Sequence, residues 1–301
     1  MTGQSKPAAR PATAPHGDCV QPFMFEHLDI RGAVVSLDRA WHALLAGRDY
    51  PPGVRALLGE MSAVTCLISA NLKQTGRMTF QLRSDGGVNL LVLDCDERLR
   101  LRGMARTGAE AVPDGIPARA LLGDGQLLLT LDAAGMRTPY QSMVPLEGES
   151  IAAIFEHYLN QSEQQPTRVL LAADDRRAAG LLLQKLPEAD RRDADGWNRV
   201  LHLLATLTPG ELLAHAPLDL LRRLFPEEEV RVFAARPVSH QCPRDPEKIH
   251  AMLRSLGRAE CDAILAEKGE VRVRDDLCNH EYLFDAAAVE ALFAAPAQRM
   301  H

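Results

Sequence analysis

The sequence predicts an α+β protein with an N-terminal domain of antiparallel sheets and packed helices, a helical linker, and a small C-terminal α+β domain. Three observations predict it. Alternating apolar and polar residues joined by short turns run through the first half, as in "RMTFQLRSDGGVNLLVL" at 77–93. Helical periodicity falls in separate blocks rather than between successive strands. The last 60 or so residues repeat the mixture on a small scale, with helices, a short hairpin and a closing helix.

Composition narrows the class. The chain has 301 residues, 46% of them apolar and 25% charged, enough to bury one large core or two ordinary ones. A net charge of −6 gives no electrostatic drive toward nucleic acid or an anionic membrane. The most apolar helical stretch, Val54 to Leu72, is interrupted by Arg55, Glu60 and Asn71, and no run reaches the roughly 18 to 20 apolar residues of a membrane span. Residues 1–22 are rich in Pro, Ala and small polar residues without the apolar core of a secretory signal, so a disordered tail and a cytoplasmic location are expected. In that reducing compartment the six cysteines are expected to be thiols or metal ligands.

The elements follow in order. Leu37 to Leu45 predicts a short helix with Trp41, Leu44 and Leu45 on one face, and Pro51 and Pro52 open a longer one carrying Val54, Leu57, Leu58, Met61, Val64 and Ile68. Strands are expected at 77–83, 88–93, 98–102, 126–132, 140–144 and 167–172, with a helix at 149–161. These make an α+β domain over 23–187. Residues 188–237 predict two helical patterns parted at Thr208 and Pro209, one with Trp197, Val200, Leu201 and Leu204, the other with Leu212, Leu213, Leu220, Leu221 and Leu224. In the last domain, 238–296, Asp245 caps a helix with Ile249, Met252, Leu253 and Leu256 as its buried stripe. A second helix through Cys261 stops at Gly269; "VRV" and "EYLF" form a hairpin, and Asp285 caps a last helix.

Two loops of this domain carry chemistry. "HQC" at 240–242 precedes the first helix, and "DDLCNH" at 275–280 fills the hairpin turn. Zinc takes about four nitrogen or sulfur donors, two from each of two loops being a common solution. The candidates are His240, Cys242, Asp275 and Cys278, with His280 a rival for the fourth place, which makes the domain zinc-knuckle-like. A carboxylate is unusual in a structural site, so a loop pair held by packing alone stays open. Cys66 and Cys261 lie on apolar helical faces and read as buried thiols; Cys95 lies near a strand end, between two aspartates that disfavour a reactive thiolate. Arg77, Arg83, Arg98, Arg100 and Arg102 read as the solvated side of half-buried strands, and "PEEEV" at 226–230 as a solvated turn. No nucleophile triad, phosphate-binding loop or supported carboxylate pair occurs, so no enzyme is expected.

The chain resembles the 33-kDa chaperonin family, the redox-regulated heat-shock holdases. "FEHLDIRGAVVSL", "LKQTGRMTFQLRSDGGVNLLV", "YQSMVPLEGESIAAIFEHYLNQSEQQPTR", "LLRRLFPEEEVRVF" and "YLFDAAAVEAL" carry the resemblance, in order, along nearly all of the chain after the tail. The resemblance implies a substrate-binding domain, a metastable linker and a zinc-binding redox switch. Reduced members hold zinc through Cys-X-Cys and Cys-X-X-Cys. Peroxide and unfolding stress convert the four thiols into two disulfides, zinc leaves, and the linker opens so that dimers hold unfolding clients without ATP. This chain has His240-Gln241-Cys242 and Asp275-Asp276-Leu277-Cys278 at those places. A disulfide within either loop is therefore impossible, and a Cys242–Cys278 disulfide is open to it where both sulfurs approach the same metal position. The function expected is an ATP-independent holdase acting under oxidative or heat stress, binding unfolded clients through linker residues Trp197, Leu201, Leu204, Leu213 and Leu221, as a homodimer when active, with redox gating weakened or lost. The alternative is a specific protein- or RNA-binding module built on the metal knuckle.

Overall fold

Two sheets, antiparallel except for one short parallel pair, and the long helix between them organise the first three-quarters of the chain. The computed structural model describes residues 17–72, 76–108, 115–133 and 135–294. The elements begin with β1 (Cys19–Phe25), β2 (Ile30–Leu37), α1 (Arg39–Leu45), α2 (Pro52–Asn71), β3 (Gly76–Arg83), β4 (Val88–Cys95), β5 (Arg100–Thr107) and α3 (Ala118–Leu122). They continue with β6 (Gln126–Ala133), β7 (Tyr140–Val144), α4 (Ile151–Glu163), β8 (Thr167–Ala173), β9 (Ala178–Lys185), α5 (Ala189–Arg192), α6 (Gly196–Leu204), α7 (Pro209–Ala214) and α8 (Pro217–Leu224). The last are β10 (Val230–Val232), β11 (Arg236–Pro237), β12 (Ser239–His240), α9 (Pro246–Leu256), α10 (Arg258–Lys268), β13 (Val271–Arg274), β14 (Glu281–Phe284) and α11 (Ala286–Phe293). The chain divides into two units, residues up to Leu101 with Ala105–His240, and Arg102–Met104 with the residues from Gln241 on.

In the larger unit the first sheet runs β10-β1-β2-β9-β8, with β11 also on β1, and the second runs β12-β5-β4-β3-β6-β7. Helix α2 touches both. Gly59 lies against Ala173, Ala178 and Trp41 on the side of the first sheet. Met61 meets Leu82, Leu91 and Leu127 of the second sheet and Phe155 of α4. Trp41 is fully buried and its indole N–H donates to the Asp174 carbonyl at 3.0 Å, so this large ring has its one polar atom satisfied. By length and composition α2 could cross a membrane, but most of it is buried inside the unit.

The first sheet is buried on both faces. Along β2, Ala33, Val35 and Leu37 face the core around α2, while Ile30 and Val34 face a second core built with the helices after β9. A strand buried on two sides has no polar face, so β1, β2 and β9 do not alternate and were not expected from periodicity. β1 begins at Cys19, so Cys19 to Pro22 belong to the sheet rather than to the tail; residues 1–16 of that tail lie outside the described residues. Backbone pairing across the full length of β2 draws these residues in.

Two further boundaries differ from expectation. The second helical pattern of the linker is two helices, α7 and α8, because Pro217 stands at the start of α8 and interrupts the backbone bonding of one continuous helix. His240 closes β12, which pairs in parallel with β5 through Ser239–Arg100 and His240–Leu101, so backbone pairing assigns it to the larger unit.

The smaller unit has its own core of Ile249, Leu253, Cys261, Val271, Tyr282, Phe284, Val289 and Leu292. Two of its helices, α9 and α11, start at aspartate caps, Asp245 accepting from Lys248 N–H at 3.1 Å and Asp285 from Ala288 N–H at 2.8 Å. Met252 and Leu256, expected in the buried stripe, are 46% and 49% exposed. So small a core accepts one narrow row of α9, and Ile249 and Leu253 fill it.

Candidate functional site: a covered sheet face and a disulfide loop pair

The linker residues converge on one surface. Phe23, Phe25, Ile30, Val34, Leu181 and Leu183 of the first sheet, with Leu28 of the β1–β2 turn, form a continuous apolar face. Over it lie Val200 and Leu204 of α6, Leu212 of α7, and Leu220, Leu221, Leu224 and Phe225 of α8 and its end. Of the expected client-binding residues, Leu204 and Leu221 are buried in this core, and Trp197, Leu201 and Leu213 pack at its margin. The Phe25 and Phe225 rings meet edge to face with centroids 4.9 Å apart. Periodicity identified the covering helices but not the covered strands.

The cover is fastened by a few polar contacts. Arg199 of α6 donates to Glu228 at 2.7 Å and to Asp193 at 2.9 Å. Those bonds raise the guanidinium's pKa above its ordinary value, and the same Arg199 bond holds the Asp193 carboxyl below the usual range. Glu228 was expected to be solvated in "PEEEV"; instead its side chain is only 14% exposed because Arg199 satisfies it. Thr208 and Glu211 form a reciprocal cap at the start of α7, at 3.3 and 3.0 Å. Helices of nine, six and eight residues are too short to persist alone, so their order depends on docking to the sheet. A groove of about 490 Å³ opens along the seam between α8 and β10, lined by Leu218, Leu221, Phe225, Pro226, Val230 and Val232.

The second feature lies in the smaller unit. Cys242 and Cys278 are joined by a disulfide with their Cα atoms 5.4 Å apart, across 36 residues of chain. Cys278 sits in the β13–β14 turn. The Asp275 carboxylate accepts the backbone N–H groups of Leu277 at 3.0 Å and Cys278 at 3.4 Å, while its main chain bonds to His280 and Asn279. Asn279 adopts the left-handed conformation, φ +58°, which asparagine tolerates better than most residues. His280 Nε2 donates to the Cys242 carbonyl at 2.6 Å. Arg244 donates to the Glu281 carbonyl at 3.1 Å and lies over the Tyr282 ring, so the residues flanking Cys242 are bound to β14.

These contacts decide how the expected zinc ligands fit the metal. The two sulfurs are bonded to each other, the Asp275 carboxylate is engaged by its own turn, and His280 holds a carbonyl. Among the described residues no group of three His, Cys, Asp or Glu side chains is placed to hold a metal ion. The arrangement does not fit the four-donor tetrahedron zinc requires. Cys66 and Cys95 are both fully buried in the core of the larger unit, Cys95 at the end of β4 as expected. A hydrogen bond with Cys95, reinforced by burial, pushes the Cys66 thiol well above its usual range; burial likewise raises Cys261.

The larger unit is thus an α+β fold with an apolar sheet face under short helices, and the smaller unit is stapled through two loop cysteines. The chain belongs to the Hsp33 family, whose description, "Hsp33 protein", matches residues 18–285. It is 41% identical over 280 residues to the 33 kDa chaperonin of Chromobacterium violaceum, covering 92% of this chain and 94% of that protein. The 33 kDa chaperonin of Pseudomonas paraeruginosa is also 41% identical, over 285 residues, covering 93% and 95%. The fold matches the crystal structure of the Thermotoga maritima 33 kDa chaperonin, an Hsp33 homologue, with a TM-score of 0.76 over 92% of this chain and 98% of that one, at 22% identity. The protein is a chaperone, and its family is a chaperone family rather than an enzyme family. These matches give no support to a dedicated protein- or RNA-binding module.

Proposed function

We propose that this chaperone is an ATP-independent holdase that captures unfolding proteins in the cytoplasm during oxidative or heat stress. The observation that carries the reading is the covered face: about half of one core consists of sheet residues and half of helices too short to be stable undocked. Release of α6–α8 would uncover Phe23, Phe25, Ile30, Leu181 and Leu183 together with the apolar sides of the helices themselves. An apolar surface of that kind binds exposed hydrophobic segments with little regard to their sequence. Trp197, Leu201, Leu204, Leu213 and Leu221 then serve as client contacts, and two open copies associating through the same surfaces would give the homodimer. Cys242 and Cys278 are the thiols through which redox state reaches the linker. Zinc has no step in this reading.

Light scattering of several unrelated, thermally unfolding clients tests it, with the chain either reduced or treated with peroxide, no nucleotide present, and zinc assayed on the same samples. Suppressed aggregation across the client set is the expected result. Protection of a single client, or of none, would replace the holdase with a specific binder.

A further inference from the structure

The geometry points to a second oxidisable pair in this chain, Cys66 and Cys95 in the core of the larger unit, guarded by Arg236 near the end of the linker and closing to a disulfide once that arginine is released. The inference goes beyond the holdase reading and rests on it only for the event, linker release, that frees Arg236.

Cys66 lies on α2 and Cys95 at the end of β4, two elements packed on one another. Both are fully buried in one core. Their thiols are hydrogen-bonded to each other, and Cys95 Sγ in turn donates to the Asp96 carbonyl at 3.8 Å. While the core is closed the pair is inert. A fully buried sulfur is out of reach of peroxide. The hydrogen bond to Cys95, burial and the Asp18 charge, in that order, also keep Cys66 a thiol rather than the nucleophilic thiolate.

Arg236 holds the core closed at this point. Its guanidinium donates to the Ala70 carbonyl, in the last turn of α2, at 2.8 Å and to the Glu97 carbonyl, just past β4, also at 2.8 Å. One side chain thus ties together the two segments that carry the cysteines. Arg236 itself stands on β11, which is held to β1 only through Cys19–Pro237 and Val20–Arg236. So short a strand has little hold of its own, and release of the linker takes the clamp with it. Ser69, one turn beyond Cys66 on α2, keeps a buried hydroxyl without a hydrogen-bond partner among the described residues. That is a cost to the closed packing which opening relieves.

The redox step balances with peroxide as oxidant. One sulfur attacks a peroxide oxygen, the O–O bond breaks, one water leaves, and a sulfenic acid remains. The other sulfur then attacks the first, the S–S bond forms, and the second water leaves. A disulfide needs its sulfurs about 2 Å apart, closer than hydrogen-bonded thiols stand, so the bond requires the small shift of α2 against β4 that loss of the clamp allows. The product replaces a lost polar clamp by a covalent one. It keeps α2 on the second sheet while the face under the linker is uncovered, and a small dithiol reverses it.

Peroxide treatment of the full chain, followed by thiol blocking, tryptic digestion and mass spectrometry, tests the pair. Trypsin leaves Cys66 in the peptide 56–73 and Cys95 in the peptide 84–98, each without another cysteine. The two peptides are expected to cross-link roughly tenfold faster in the parent warmed to where Trp197 fluorescence reports linker opening than at room temperature. Arg236→Gln is expected to give a similar gain without warming. Recovery of Cys66 and Cys95 from the warmed, peroxide-treated chain as free thiols, as singly oxidised acids or in bonds to other cysteines would overturn the pair. Equal rates in unwarmed parent and Arg236→Gln would remove Arg236 as its guard. Hydrogen exchange over α2 is the second readout: peroxide is expected to slow it in the warmed parent but not in Cys95→Ala, each compared with its own reduced sample so that any stability loss in the variant cancels. Client scattering reads the holdase separately: its failure refutes that reading, while the cross-link alone decides this one.

Discussion

Gly59 of α2 lies so close to Ala173 of β8 that a Cβ on the glycine would stand 2.3 Å from the alanine's Cβ, with Trp41 and Ala178 at 3.2 and 3.3 Å. No rotamer relieves that contact, because both atoms are fixed to backbone. Gly59→Ala must push the central helix off the first sheet, an overpacking cost of about 1–3 kcal/mol. Thermal or urea denaturation of the variant is expected to show that loss; a midpoint within error of the parent would mean the helix has room to shift.

The same contact explains what the sequence did and did not reveal. The second sheet was legible because β3 alternates, Met78, Phe80 and Leu82 buried against Arg77, Thr79 and Gln81 outside. The first sheet was not, since β2 and β9 are covered by α2 on one side and by the linker on the other, which removes the polar face. The helices α6–α8 could be placed from leucine spacing, yet what they cover depends on pairings between segments some 150 residues apart, such as Val34 with Leu181. At the C-terminal loops the residue types pointed to metal. That Asp275 turns its carboxylate to its own backbone depends on turn geometry that composition does not encode.

Leu221 of α8 is 3% exposed within the core that the linker shares with the sheet. Leu221→Ala removes about 2–5 kcal/mol of packing at such a site. Because α8 has only eight residues, that loss falls on linker docking more than on the rest of the unit. The variant is expected to suppress client aggregation at a lower temperature than the parent, with an earlier change in Trp197 fluorescence. Unchanged onset of both would separate the linker from client capture.

The Cys242–Cys278 bridge closes a segment of 36 residues. Loop-closure entropy puts its contribution near 4 kcal/mol, a large share of what a unit of this size can have. Cys278→Ser is expected to lower the melting temperature of the C-terminal unit and to abolish the shift that a dithiol produces in the parent. Equal sensitivity of parent and variant to dithiol would place the responsive thiols elsewhere.

Glu60 lies within α2 between the apolar positions Leu57 and Val64, and burial pushes its carboxyl from 4.5 up to about 7. The sign follows from proton uptake. Between about pH 4.5 and 7 the unfolded chain has lost this proton while the folded chain retains it, so raising the pH favours unfolding. The stability associated with the neutral carboxyl is fully present below pH 4.5 and fades as pH rises through 7. The displacement corresponds to about 3 kcal/mol across the window. Glu60→Gln keeps the shape and removes the titration. Its melting temperature is expected to exceed the parent's above pH 7, with the difference shrinking toward pH 5. A constant offset at all pH values would mean that Glu60 is ionised in the folded chain and that burial does not govern it.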